Sequence, residues 1–130
     1  VEKARAKVWA DGGKPLSEAC DESMSDAFPE EFEVIDSDRI MIKPRFSAFF
    51  ATSLDLVLRR LGVQTVVLAG TTTPNCIRTT CYDALSLDYD VVVLSDCTSS
   101  VTPQVQRANL EDMQRIGAQI MTLDEIKNHS

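Results

Sequence analysis

Cys76 is the side chain of this sequence best suited to covalent chemistry. It follows an apolar run at residues 65–69 and a turn at residues 70–75, and a helical pattern continues after it. A thiol in the first turn of a helix faces free backbone N–H groups and the positive end of the helix dipole, which stabilise the nucleophilic thiolate. The same N–H groups could hold an oxyanion. The position therefore indicates either a nucleophile or a buried core cysteine.

Lys43 is the second candidate, because it ends an apolar run at residues 40–42. A cation beside a thiolate stabilises its negative charge. The alternative is a lysine that extends from a strand end into solvent. Arg45 is expected to be surface charge, and Phe46 and Phe49 to be either core or pocket wall.

The remaining cysteines and the single histidine do not suggest a metal centre. Cys20, Cys81 and Cys97 are expected to be core residues, since free cysteine is often buried. No CxxC spacing occurs, and the only histidine is His129 near the end of the sequence. We therefore predict no metal ion and no cofactor.

Four short β-branched runs determine the predicted architecture. They lie at residues 39–43, 65–69, 91–94 and 119–122, and helical patterns separate them. This alternation predicts an α/β fold whose parallel sheet is covered on both faces. Ligands of open α/β sheets bind at the carboxyl ends of the strands. Lys43 would lie at the carboxyl end of the first predicted strand, and Cys76 would follow the carboxyl end of the second.

The connecting helices have recognisable ends. In the first connecting helix, Thr52 is the predicted N-cap and Gly62 the predicted end. In the third connecting helix, Thr102 is the predicted N-cap, Pro103 occupies the first position and Gly117 is the predicted end. Phe50 is expected to be a core residue on the first helix. The predicted apolar faces consist of Phe50, Leu54, Val57, Leu58 and Leu61, and of Val105, Ala108, Met113 and Ile116.

Size and charge exclude several classes of protein. A chain of 130 residues and 14.4 kDa, 44% apolar and 25% charged, is predicted to form one soluble, cytoplasmic domain. Residues 1–38 carry eleven acidic and four basic side chains and read as a loop-rich acidic segment, before a βα core at residues 39–126. The net charge of -7 disfavours nucleic-acid and membrane partners.

Four stretches, taken together, resemble a known family. Residues 43–49, 68–80, 83–84 and 93–96 are similar, in order and spacing, to signatures of the isochorismatase-like cysteine hydrolases. That family includes nicotinamidases, N-carbamoylsarcosine amidases and ureidoacrylate amidohydrolases. The resemblance extends from about residue 38 to residue 126 and implies a three-layer α/β/α, Rossmann-like fold with a mostly parallel sheet.

The resemblance also implies a set of site residues. Lys43 and Cys76 match two members of an Asp-Lys-Cys triad, and a cis peptide bond is expected at Thr71–Thr72. The N–H groups of Thr72 and Cys76 would form the oxyanion hole. The substrate would lie against Phe46, Phe49, Thr71 and Pro74, and the protein is expected to be a homo-oligomer.

The function implied is a cysteine hydrolase that cleaves a C–N bond of a small carbamoyl, ureido or carboxamide substrate through a thioester. One alternative is an inactive binding or assembly module with the same fold, and another is a hydrolase of the isochorismate vinyl-ether type. A nucleotide site at residues 70–75 is disfavoured, because that turn has one glycine and no lysine.

The aspartate of the triad has no match in the sequence. The family places it at the end of a first strand, upstream of the matching region, and no apolar run ending in Asp precedes Trp9. Asp96 corresponds to a position with a structural role. We therefore expect the 130 residues to be part of a longer chain without its N-terminal strands, in which an upstream segment, or another chain, supplies the central strand and the aspartate.

Overall fold

The computed structural model describes residues 33–129, and the chain divides into two compact units, Val1–Ile42 and Lys43–Ser130. In the first unit, residues 33–42 contain a turn. There the Asp38 N–H donates to the Ile35 carbonyl at 2.9 Å, and the Ile35 N–H donates to the Asp38 carboxylate at 3.1 Å. The expectations for Cys20 and for most of the acidic segment fall outside the described residues.

The second unit alternates helices with strands. Its three strands pair in parallel in the order β1-β2-β3, so the predicted α/β class with a parallel sheet and flanking helices is confirmed. The three later predicted strands are all present. The elements are α1 (Leu54–Arg60), β1 (Thr65–Thr71), a π-helical turn (Thr73–Ile77), α2 (Arg78–Ser86), β2 (Asp90–Ser99), α3 (Pro103–Arg115), β3 (Gln119–Met121) and α4 (Leu123–Asn128).

Strand β2 is the centre of the unit. It pairs with β1 on one side and β3 on the other, and its residues 91–94 are all buried. A continuous apolar run is typical of a parallel strand that is covered on both faces. The core around it consists of Ile77, Cys81, Ala84, Tyr89, Val91, Val93, Met113 and Ala118.

The predicted strand at residues 39–43 is wrong. This segment is irregular, and Ile40 and Ile42 are 65% and 76% exposed. A strand requires hydrogen bonds to a neighbour, and none of the three described strands pairs with this segment. Lys43 therefore extends from an irregular segment and not from the end of a strand.

Helix α3 has the predicted ends but a different buried face. The Thr102 side chain accepts the Val105 N–H at 3.1 Å, Pro103 opens the helix, and Gly117 follows it with φ of +117°. Asn109 and Met113 are buried, whereas two predicted core residues, Ala108 and Ile116, are exposed. The burial of Asn109 is tolerated because hydrogen bonds satisfy its amide.

Helix α1 begins later than predicted. Its N-cap position is Ser53, and the Thr52 hydroxyl donates to the Ala48 carbonyl at 2.5 Å and accepts the Leu54 N–H at 3.3 Å. Because Phe50 therefore lies in a turn before the helix, it is 58% exposed, and the prediction that it is a core residue is wrong. Leu61, also predicted for the apolar face, is exposed at the C-cap.

The buried thiol of Cys81 predicts a pH dependence of stability. Burial raises the pKa of Cys81 from 9.0 to about 11, so the unfolded chain loses this proton at a lower pH than the folded protein. Below pH 9 this group should leave the free energy of unfolding unchanged. Between pH 9 and 11 it should lower that free energy, by up to about 3 kcal/mol at about 1.4 kcal/mol per pKa unit.

Urea unfolding across this alkaline range measures the effect in the wild-type protein and in Cys81→Ala. The variant lacks the titrating group, so its stability should fall less steeply and the two curves should approach each other as the pH rises. Cys76→Ala serves as the control, because it retains the buried thiol. Parallel curves for the wild-type protein and Cys81→Ala would contradict the prediction.

Candidate active site

Lys43 and Cys76 lie in contact although 33 residues separate them. The Lys43 Nζ donates to the Cys76 Sγ at 3.4 Å and to the Arg45 carbonyl at 2.5 Å. Lys43 is exposed and Cys76 is half-buried. The two side chains that the sequence predicted as candidates therefore lie together. The Lys43 ammonium contacts a sulfur that solvent can reach.

Cys76 lies in the π-helical turn and not, as predicted, in the first turn of an α-helix. The Thr72 carbonyl accepts both the Asn75 N–H at 3.1 Å and the Ile77 N–H at 3.4 Å, five residues on. Pro74 lies at the start of the turn, where its missing N–H leaves no hydrogen bond of the turn unmade, and α2 begins at Arg78. The nucleophile candidate therefore lies two residues before Arg78, the first residue of the α-helix.

Side chains within the turn hold its shape. The Asn75 amide donates to the Thr72 hydroxyl at 2.9 Å, and the Thr79 hydroxyl donates to the Asn75 carbonyl at 2.8 Å. Thr73 is fully buried, and its hydroxyl donates to the Ser99 carbonyl at 3.1 Å. The turn is thereby joined to the carboxyl end of the central strand, and the sequence analysis missed the part played by Thr73.

The backbone that enters the turn is unusual at two positions. Gly70 has φ of +121°, a conformation that favours glycine, and the register of β1 against β2 shifts between Leu68 and Gly70. The peptide bond Thr71–Thr72 is cis, at the position where the family resemblance placed it. Thr71, the last residue of β1, is exposed, and Pro74 is half-buried.

Helix α2 is anchored to α3 through Arg78. Its guanidinium donates to the Asn109 side-chain oxygen at 2.8 Å and to the Asp112 carboxylate at 3.0 Å, and it also bonds the Tyr82 hydroxyl at 3.3 Å. A planar group with several donors can bind three partners in this way. The helix that follows Cys76 is therefore held to α3 near its first residue.

The two predicted pocket aromatics have different surroundings. Phe46 is partly exposed on the segment that follows Lys43. Phe49 is half-buried against the core, and its ring stacks on Tyr89, the residue before β2, with 5.9 Å between ring centroids. Phe49 therefore packs near the amino end of the central strand, whereas Cys76 follows the carboxyl end of β1.

The other described cysteines lie in different surroundings. Cys81 is fully buried, as the sequence predicted. Cys97 is only half-buried, so the prediction that it is a core residue is wrong. Burial, followed by the neighbouring Asp96 carboxylate, raises the pKa of its thiol. Asp96 itself accepts the Leu123 N–H at the start of α4, at 3.0 and 3.2 Å to its two oxygens. This contact agrees with a structural role for Asp96.

Among residues 33–129, no carboxylate hydrogen-bonds to the Cys76 thiol or forms an ion pair with Lys43. That range also contains no group of three His, Cys, Asp or Glu side chains arranged to bind a metal ion.

A cavity of ≈ 510 Å³ borders β3 and α4, and its lining includes Gln119, Glu125 and His129 but neither Lys43 nor Cys76. The helices of the described residues are too short or too polar to cross a membrane.

Comparison with known proteins extends these observations. The chain is 47% identical over 91 residues to a probable inactive nicotinamidase of Arabidopsis thaliana, covering 69% of this chain and 46% of that protein. It is 33% identical over 100 residues to a ureidoacrylate amidohydrolase of Serratia proteamaculans, covering 76% of this chain and 40% of that enzyme. The chain thus spans less than half the length of these two curated relatives.

A solved structure supports the same relationship. The crystal structure of an isochorismatase family protein from Desulfovibrio vulgaris matches with a TM-score of 0.72 and 44% identity, over 74% of this chain and 50% of that one. Residues 5–125 match the isochorismatase domain as a protein family. Since this match covers most of the sequence and the parallel sheet agrees with it, the chain belongs to the isochorismatase family.

Proposed function

We propose that the protein is a cysteine hydrolase that cleaves a C–N bond of a small amide, with Cys76 as its nucleophile. The observation that carries the proposal is the 3.4 Å contact between the Lys43 ammonium and the Cys76 sulfur. The family includes amidohydrolases, which act on the same class of bond. A lysine in contact with a half-buried thiol is one of the arrangements that favour such a nucleophile.

The reaction begins with transfer of the thiol proton to a carboxylate, while Lys43 stabilises the negative charge left on sulfur. Cys76 then forms a bond to the substrate carbonyl, and the C–N bond breaks as the carboxyl group returns the proton to the departing nitrogen. Water hydrolyses the thioester and regenerates the thiol. Because no carboxylate of residues 33–129 contacts this pair, the proposal assigns the base to a residue outside that range.

The backbone of the turn is assigned to the oxyanion. The N–H groups of Thr72 and Cys76 are the proposed donors to this oxyanion, and each such donor is commonly worth about 3 kcal/mol in the transition state. Thr71 and Pro74 border the same turn, and Phe46 follows Lys43, so these three side chains are the proposed substrate contacts. Phe49 packs against the core, and its proposed role is to hold the segment after Lys43 in place.

The substrate class proposed is a carbamoyl or ureido amide. The name of the Serratia relative, a ureidoacrylate amidohydrolase, supports this choice. The sequence from Thr72 to Arg78 supports it too, because this turn resembles that of carbamoyl-amide hydrolases more than that of nicotinamidases.

An inactive protein with the same fold is the second candidate. The name of the Arabidopsis relative, a probable inactive nicotinamidase, favours it. The two candidates differ in what they require of the thiol. A hydrolase requires an activated Cys76 thiol, whereas a binding module does not require a reactive thiol.

Alkylation measures this activation directly. In the wild-type protein near neutral pH, one thiol should react with iodoacetamide much faster than a model thiol, and Cys76→Ala should remove this fast phase. Lys43→Met should slow it about tenfold, because the thiolate loses its cation. Lys127→Met is the matched control, because the charge of Lys127 lowers the pKa of the Cys97 thiol. This variant should therefore leave the fast reaction of Cys76 unchanged. A wild-type rate equal to that of the model thiol would favour the inactive module.

Turnover is the second measurement. The complete protein, supplied with a panel of small ureido, carbamoyl and carboxamide compounds, should release ammonia or an amine, and Cys76→Ala should lower kcat by about a thousandfold or more. Cys97→Ala should retain activity, because its thiol lies beside Asp96 and not beside Lys43. Unchanged turnover in Cys76→Ala would show that Cys76 is not the nucleophile.

A further inference from the structure

Thr80 provides a buried hydroxyl that none of the chemical steps above uses. It is the third residue of α2, one helical turn after Cys76, and it is 6% exposed. Its Oγ1 accepts the N–H of Ala48 at 2.9 Å. Ala48 belongs to the segment of residues 43–53, here called the lysine loop, which begins at Lys43 and ends where α1 starts.

The peptide groups around Ala48 are well bonded. Its carbonyl accepts the Thr52 hydroxyl at 2.5 Å, and the carbonyl of Ser47, which is 6% exposed, accepts the Phe50 N–H at 3.2 Å. The lysine loop is therefore folded tightly around residues 47–48. The contact with Thr80 fixes this folded part to the helix that continues from the Cys76 turn.

We propose that Thr80 is a positioning residue for the hydrolysis proposed above, on which this inference rests. By accepting the Ala48 N–H, Thr80 sets the distance between the lysine loop and the Cys76 turn. The Lys43 ammonium also donates to the Arg45 carbonyl, a backbone group of the same loop, so its distance from the sulfur depends on where the loop backbone is held. A small shift of the loop would admit water between the ammonium and the sulfur and weaken their attraction.

Thr80→Val tests the proposal, because it keeps the shape of the side chain and removes the acceptor. The Ala48 amide should exchange its hydrogen faster, because it loses its hydrogen-bond acceptor. Cys76 should react with iodoacetamide more slowly, by about threefold, which is less than the effect of Lys43→Met because the cation is displaced and not removed. In turnover, kcat should fall with KM nearly unchanged. Thr80→Ser retains the oxygen and should restore both the exchange protection and the alkylation rate.

The control is Thr98→Val, the same substitution at another buried threonine. Its hydroxyl donates to the Leu94 carbonyl at 2.8 Å, accepts the Gln106 side-chain amide at 3.0 Å, and makes no hydrogen bond to the lysine loop. This variant should lose stability while retaining the alkylation rate. Should Thr80→Val unfold at the assay temperature, Thr80→Ala removes the same acceptor without adding a methyl group in its place.

A double substitution tests whether Thr80 acts through Lys43. In the Lys43→Met background, Thr80→Val should not slow alkylation further, because the cation that it positions is already gone. Rates that fall independently in the two variants would overturn the proposal. So would a Thr80→Val protein whose Ala48 amide loses protection while Cys76 reacts as fast as in the wild type. A wild-type thiol with no enhanced reactivity would instead reject the proposed function itself.

Discussion

The contact of one ammonium with one thiol is the interaction on which the site depends. A positive charge near sulfur lowers the free energy of the thiolate relative to the thiol, and the effect increases as water is excluded. Here the lysine is exposed and the cysteine half-buried. Side-chain packing alone does not fix such a pair, so its geometry depends on the backbone that carries each residue.

The cysteine side is fixed by the central strand. Strand β2 is buried through residues 91–94, and its carboxyl end is joined to the turn by the bond from Thr73 to the Ser99 carbonyl. Arg78 then joins the start of α2 to α3. The lysine side has no strand to hold it, and in the described residues its backbone meets α2 through the Ala48 N–H and Thr80. The two sides are therefore fixed by different means, one by the sheet and one by a hydrogen bond to a helix.

The sequence predicted best what local chemistry decides. The cap at Thr102, the left-handed Gly117 and the apolar run of β2 each follow from a few neighbouring residues. The strand at residues 39–43 was predicted wrongly, because a short apolar run does not guarantee a partner strand. The contact between Ala48 and Thr80 was missed altogether, since a hydrogen bond across 32 residues leaves no periodic signal in the sequence.

Three acidic residues of the described range bear on how the proposed function separates activation of the thiol from turnover. Asp55 accepts the Tyr89 hydroxyl, Asp96 accepts a backbone N–H of α4, and Asp112 pairs with Arg78. Each of these three carboxylates has a structural partner. A protonated lysine stabilises a thiolate but cannot accept the thiol proton or return it to a departing amine. In the proposed mechanism the pair of Lys43 and Cys76 therefore accounts for a reactive thiol, whereas repeated turnover also requires a carboxylate, and none of residues 33–129 hydrogen-bonds to the thiol or pairs with Lys43 in that role.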